Sequence, residues 1–128
     1  MIYGIGTDIV PYARIVAIHK NYGERFAQKI LSHQELSEYH SNRDPARLLM
    51  KRFAAKEALA KAMGSGLRHP VALQKISVIH DELGKPVFKF DDELAVYIKH
   101  LGATHHHLSI SDDSDVAVAF VVLEKNES

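Results

Sequence analysis

Residues 52–66 read RFAAKEALAKAMGSG. Alanine, leucine, phenylalanine and methionine lie on nearly every side of the helix this predicts, yet Arg52, Lys56 and Lys61 surround a single Glu57. A buried helix avoids such charges and a solvent-facing helix is less apolar, so the stretch calls for both a core position and an anion. Upstream, Asp44-Pro45 supplies an N-cap and a first-turn proline, and downstream Gly64 stops the helix. At about 100° per residue, Leu48, Leu49, Leu59 and Met63 form one apolar side. Ala54, Ala58 and Ala62, each four apart, form a second side smooth enough for close packing. Arg52 and Lys56 project among the leucines, and like charges at that spacing repel.

Two bland readings stand beside the ligand reading. Both cations can snorkel to water along their aliphatic stems. Glu57 and Lys61 have the favoured order for a surface ion pair, worth about 0.3 kcal/mol. Against both stands the sum over the helix, in which Arg47, Lys51, Arg52, Lys56 and Lys61 face Glu57 alone. That balance suits a polyanionic ligand, with the carboxylate holding a metal bound to it. Gly64-Ser65-Gly66 extends the idea, because glycines let backbone N–H groups approach a phosphate; it equally serves as a plain C-cap.

The lone acid of MIYGIGTDIV belongs to the same question. Side chains alternate along a strand, so Ile2, Gly4, Gly6, Asp8 and Val10 share one face. Two glycines beside Asp8 leave the sheet surface bare, and something else is expected to fill that space. Asp8 is then either a turn or cap residue before Pro11 or a carboxylate facing a cavity. Facing Glu57, it makes a hard oxygen site of the kind that holds magnesium with substrate phosphates and water.

The rest of the chain bounds these readings. One domain, 1–128, is expected from 128 residues of ordinary globular composition. With no cysteine there is no disulfide or thiolate site, and the cytoplasm is the expected compartment. The N-terminus is not expected to be a signal peptide, and no segment has the roughly 20 apolar residues of a membrane span. Residues 1–63 hold ten Lys/Arg against six Asp/Glu, and residues 64–128 the reverse, six against ten. A neutral chain with a basic front half is a poor general nucleic-acid binder and a fair host for a local anion site.

Element signals run in the order β, helices, β-β, α, β-β, which indicates an α+β domain with helices packed on a mostly antiparallel sheet. Residues 1–10 read as a strand ending at Pro11, followed by helix from Tyr12 to Lys20 and from Glu24 to Leu31 around a break at 21–23. Ser32-His33-Gln34-Glu35 has the form of a capping box. Gln74–His80 and Pro86–Phe90 are predicted to pair, Asp91 to cap a helix ending at Gly102, and His105–Ser111 to pair with Val116–Leu123. The last segment is apolar throughout, as a central strand covered on both faces is.

These residues resemble the holo-acyl-carrier-protein synthases, the single-domain 4′-phosphopantetheinyl transferases. The family signature, an aromatic residue followed by x-x-Lys-Glu-Ala-x-x-Lys, is complete as Phe53-Ala-Ala-Lys56-Glu57-Ala58-Leu-Ala-Lys61. Gly-Ile-Gly-Thr-Asp-Ile-Val matches the first motif, and Gly64-Ser65-Gly66 and Asp-Glu-Leu-Gly-Lys-Pro at 81–86 also fit. The resemblance implies transfer of phosphopantetheine from coenzyme A to a serine of apo-acyl carrier protein. It implies Mg2+ on Asp8 and Glu57, Glu57 as the base for the serine proton either directly or through a metal-bound water, and Lys61 neutralising the leaving phosphate. Arg52, Phe53, Lys56, Lys61, Gly64, Ser65, Gly66 and Pro86 would hold coenzyme A. A late histidine two residues before Ser or Thr selects His107, beside Ser109, from the run His105-His106-His107, which leaves His105 and His106 exposed and uninvolved.

The resemblance also implies an acidic carrier protein as partner and a homotrimer with active sites between subunits. Arg14, Ile18, Arg25, Phe26 and Lys29 would meet the carrier, on a stretch where Glu24 is the sole acid; a solvated helix face is the plain alternative. Two rival functions are a magnesium-dependent phosphoesterase and a non-catalytic coenzyme A-binding module.

Overall fold

The computed structural model describes residues 1–126. Strand β1 (Ile2–Pro11) leads into helices α1 (Tyr12–Tyr22), α2 (Glu24–Ile30), α3 (His33–Ser41) and α4 (Pro45–Met63). A short 3-10 turn at Leu73–Lys75 precedes β2 (Ile76–His80) and β3 (Pro86–Phe90); α5 (Asp92–Leu101), β4 (Ala103–Asp112) and β5 (Val116–Lys125) complete the chain. Two antiparallel sheets result, one in the order β1-β5-β4 and one of β2 with β3. This is the predicted α+β architecture.

Local chemistry sets most boundaries. Asp44 caps α4 by accepting from the Arg47 N–H, and Gly64 closes it in the left-handed conformation at φ 79°. Ser32 and Glu35 form both halves of the capping box that opens α3. Asp91 and Gly102 do the same work for α5. Strand β2 starts two residues later than the apolar pattern suggests, because Leu73–Lys75 turns before the strand begins.

Helix α4 lies across the three-stranded sheet, and its alanines provide the contact. Ala54 and Ala58 have no exposed surface, as expected of the smooth side. A Cβ placed on Gly4 would stand 2.0 Å from the Ala62 carbonyl oxygen, and one on Gly6 would stand 2.0 Å from that of Ala58. The bare surface beside Asp8 is therefore filled by the backbone of α4, not by a ligand. Glycine is required there for close approach, and Asp8 sits within the strand rather than at a cap.

Strand β5 is central, but only one of its faces is covered. Ala117, Ala119, Val121 and Leu123 are buried under α4, whereas Val118 and Phe120 on the other face are 37% and 45% exposed. On β1 the same outer face carries Ile5 and Ile9, 59% and 61% exposed, in register with Val122 and Val118. The uninterrupted apolar run thus reflects a buried face and an open apolar face. The turn between β4 and β5 is pinned by Arg47, which donates to Asp112 and to the carbonyls of Asp113 and Ser114.

Candidate active site

Asp8 reaches the site from β1, and Glu57 and Lys61 reach it from successive turns of α4. The Lys61 ammonium donates to Asp8 Oδ1 at 3.0 Å and to the Thr7 carbonyl at 3.0 Å. Burial, followed by the neighbouring Asp8 charge, raises the Glu57 pKa; Lys61 and Arg14 pull against the rise. Asp8 is largely covered and Lys61 largely open, with side-chain exposures of 16% and 53%. The two carboxylates that the sequence paired across the chain are thus electrostatic neighbours, partly desolvated and served by one lysine.

This donor set fits a divalent cation. All its atoms are hard oxygens, and a 2+ ion beside them would offset both the burial and the Asp8 repulsion that raise Glu57. Among the described residues no group of three His, Cys, Asp or Glu forms a complete protein cage. Magnesium commonly takes one or two carboxylates and completes its shell with water and phosphate, so the pair suffices.

Arg52 and Lys56, which the resemblance placed on phosphates of coenzyme A, are engaged here by acids of their own chain. Lys56 has no exposed surface and donates to Glu35 Oε1 at 2.5 Å, the Ile30 carbonyl at 2.8 Å and the Leu73 carbonyl at 3.0 Å. Arg52, 4% exposed, binds Glu35 through one guanidinium nitrogen and both oxygens of Glu38 through the other. Glu35 also accepts the Ser32 and Val78 N–H groups. Burial pushes Glu35 upward, but the Lys56 charge and these hydrogen bonds outweigh it and hold the carboxyl below its usual range. Burial lowers Lys56 to about 8 despite Glu35. The anion that α4 demanded is this glutamate, supplied by the chain itself. The capping-box pattern flagged Glu35 only as a helix start, and no local signal pairs it with cations 17 and 21 residues onward.

The Gly64–Gly66 loop follows its plain reading in part. The Gly64 and Gly66 N–H groups bond the carbonyls of Lys61 and Ala60, closing α4. The Ser65 hydroxyl donates to the Gly66 carbonyl on the surface.

His107 and Ser109 are exposed on the outer face of β4, and His107 bonds Glu124 at 2.5 Å. Asp8 is on the inner face, in register with the buried Ala119, so one chain does not bring His107 and Asp8 to the same side of the sheet. His106 is not the exposed bystander expected. It is half-buried, accepts the Phe88 N–H at 3.0 Å and packs against Phe88 and Phe90, linking the two sheets. Burial, followed by the charge of His107, lowers its pKa and favours the neutral acceptor form. Phe53 and Pro86 are part-covered; His105 is exposed.

Ile18, Arg25, Phe26 and Lys29 line one cleft of about 390 Å³ between α1 and α2, together with Tyr22, which the sequence suggested only as part of a helix break. Arg14 lies apart from them, exposed on α1 and within electrostatic reach of Glu57.

A family model for the 4′-phosphopantetheinyl transferase superfamily matches residues 4–121, and the chain belongs to that superfamily. It is 58% identical over 125 residues to the holo-acyl-carrier-protein synthase of Nitrosospira multiformis, covering 98% of this chain and 100% of the relative. The crystal structure of the Neisseria meningitidis holo-acyl-carrier-protein synthase superposes with a TM-score of 0.94 at 47% identity, over 98% of this chain and 100% of that one. The Bacillus anthracis synthase, solved in complex with CoA (3′,5′-ADP), matches with a TM-score of 0.81 at 34% identity, over 98% and 99% of the two chains.

Proposed function

We propose that this chain transfers the 4′-phosphopantetheine arm of coenzyme A to a serine hydroxyl of an apo-acyl carrier protein, releasing adenosine 3′,5′-bisphosphate. The observation that carries this reading is the convergence of Asp8, Glu57 and Lys61 where α4 crosses β1. It occurs in a chain that matches holo-acyl-carrier-protein synthases from end to end.

The roles follow from the chemistry of each group. The serine oxygen forms a bond to the phosphorus bearing the pantetheine, and the bond from that phosphorus to the bridging oxygen breaks. Glu57 takes the serine proton; its raised pKa brings it nearer the working pH than an ordinary carboxylate. Lys61, held by Asp8 and the Thr7 carbonyl, keeps a positive charge beside the departing phosphate. Asp8 and Glu57 would hold Mg2+, which when bound supplies positive charge to the pyrophosphate.

The coenzyme contacts are proposed to come from two copies of the chain. Phe53, Lys61 and the Gly64–Gly66 loop would serve from the side of Asp8, and Pro86, His107 and Ser109 from a neighbour. Two observations support this: His107 and Asp8 lie on opposite sheet faces, and the outer face beside His107 exposes Ile5, Ile9, Val118 and Phe120. A homotrimer closed through that face covers the apolar strip and completes the site. The cleft of Ile18, Arg25, Phe26 and Lys29, with Arg14 nearer Glu57, would receive the acidic carrier, whose charge it complements. No helix among the described residues is long and apolar enough to cross a membrane, and the cytoplasm is the proposed setting.

Incubating the protein with Mg2+, coenzyme A and an apo-acyl carrier protein tests the reading by mass spectrometry. A carrier adduct with stoichiometric bisphosphate release is expected. Coenzyme A cleavage without an adduct would make the chain a phosphoesterase, and binding with no turnover would make it a coenzyme module.

A further inference from the structure

The buried ammonium of Lys56 is used by none of the roles above, yet it precedes Glu57 in the chain. Successive residues diverge by about 100° around a helix, so the two side chains leave α4 toward different neighbours. Glu57 turns toward β1 and Asp8. Lys56 turns toward the end of α2, where each of its three N–H groups has an acceptor.

One of those acceptors is the carbonyl of Ile30, the last residue of α2. A helix leaves its final carbonyls unpaired, and a cation placed on one both satisfies the oxygen and opposes the helix dipole. Helix α2 carries Arg25, Phe26 and Lys29 of the proposed carrier cleft. The second acceptor, the Leu73 carbonyl, fixes the turn ahead of β2; the third, Glu35, balances the charge. Glu35 does not depend on Lys56 to hold α3 and β2 in place, because Arg52 and the Ser32 and Val78 N–H groups also bind it. Removing the ammonium therefore frees the end of α2 and the turn at Leu73–Lys75 more than α3 or β2.

We propose that Lys56 is a positioning residue: it ties the C-terminal end of α2 to the helix that carries Glu57, and so sets where a docked carrier's serine stands relative to that carboxylate. The inference rests on the transferase reading for its kinetic half and on geometry alone for its structural half.

The Lys56→Met chain, assayed with coenzyme A and apo-acyl carrier protein, tests both halves. The KM for the carrier is expected to rise about tenfold, equivalent to ~1.4 kcal/mol, because the cleft residues on α2 lose their anchored position, with the KM for coenzyme A unchanged. Amide hydrogen exchange is expected to quicken at Ile30 and Leu31 and to hold steady in α5. A Leu94→Ala chain, destabilised in the buried face of α5, controls for general weakening. It should lose active fraction without a change in carrier KM. Should Lys56→Met fail to fold, the Glu35→Gln/Lys56→Met pair keeps the cluster neutral and Arg52 bonded, and the same measurements apply. Equal rises in both KM values, no rise, or unchanged exchange at the end of α2 overturns the proposal. No transfer by the unsubstituted chain overturns the transferase reading instead, and exchange then decides alone whether Lys56 holds α2.

Discussion

Helix α4 carries two charge clusters, and they are built on opposite terms. On one side Arg52 and Lys56 meet Glu35 and Glu38 in a charge-balanced set, buried except for Glu38, and no buried side-chain nitrogen or oxygen among the described residues lacks a hydrogen bond. On the other, Asp8 and Glu57 stand near Lys61 at a partly exposed site, with an acid in excess. In the closed cluster each cation already has an acid of the chain as partner. The open one has repulsion to be relieved, and that is where a cation and a phosphate would be stabilised. Signature residues adjacent in sequence, Lys56 and Glu57, thus divide between the buried ion cluster and the site proposed for the chemistry.

The sharpest way to break this contrast is to disable each cluster in turn. Asp8→Ala and Glu57→Gln should each cut the transfer rate by about 10²-fold or more while leaving the urea midpoint nearly unchanged. Rates close to the unsubstituted chain would remove both acids from the chemistry. Glu35→Ala should do the reverse. It strands Lys56 in the interior and leaves Arg52 with Glu38 alone, and stability measured by urea unfolding should fall by about 3–5 kcal/mol. A loss below 1 kcal/mol would mean that the buried cations find water after all.

Gly6→Ala probes the seam between the clusters. Its methyl group would meet the Ala58 carbonyl oxygen. Overpacking of this kind costs roughly 1–3 kcal/mol, and here it also moves Asp8 away from α4. Both the thermal midpoint and the transfer rate should drop, whereas a fall in the midpoint alone would show that the carboxylate pair tolerates displacement.

The mildest test is acidity, where the clusters have opposite signs. Glu35 is held below its unfolded value, so its contribution is present above about pH 4.5 and is lost as pH falls through the lower folded pKa. Glu57 is raised, so its contribution is present below that pH and is lost as pH rises through the higher folded pKa. Stability curves of Glu35→Gln and Glu57→Gln against pH should flatten in those separate windows; flattening in the same window would mean that the two acids are not independent.

Much of this was legible in the residues. Helix boundaries followed from Asp44-Pro45, Gly64, Ser32-Glu35 and Asp91, because caps are local chemistry. The alanines four apart marked a smooth side of α4 and the glycines two apart a bare face of β1, but neither pattern said that the helix backbone would fill that face. Nor did the ligand of Lys56 follow, since Glu35 lies on another helix and sequence spacing carries no information on which side of α4 that helix packs. The outer face of β5 was hidden for a different reason. An apolar residue reads the same whether it is covered by its own chain or left for another.

The contact between β1 and α4 has a consequence for how this protein can change. A crowded side chain is commonly rescued by trimming its neighbour, but at Gly4 and Gly6 the obstacles are carbonyl oxygens of the main chain. Every amino acid possesses that atom, so no second substitution at Ala58 or Ala62 removes it. Variation at these two positions is therefore closed to pairwise repair, and libraries aimed at remodelling the protein would do best to leave both fixed.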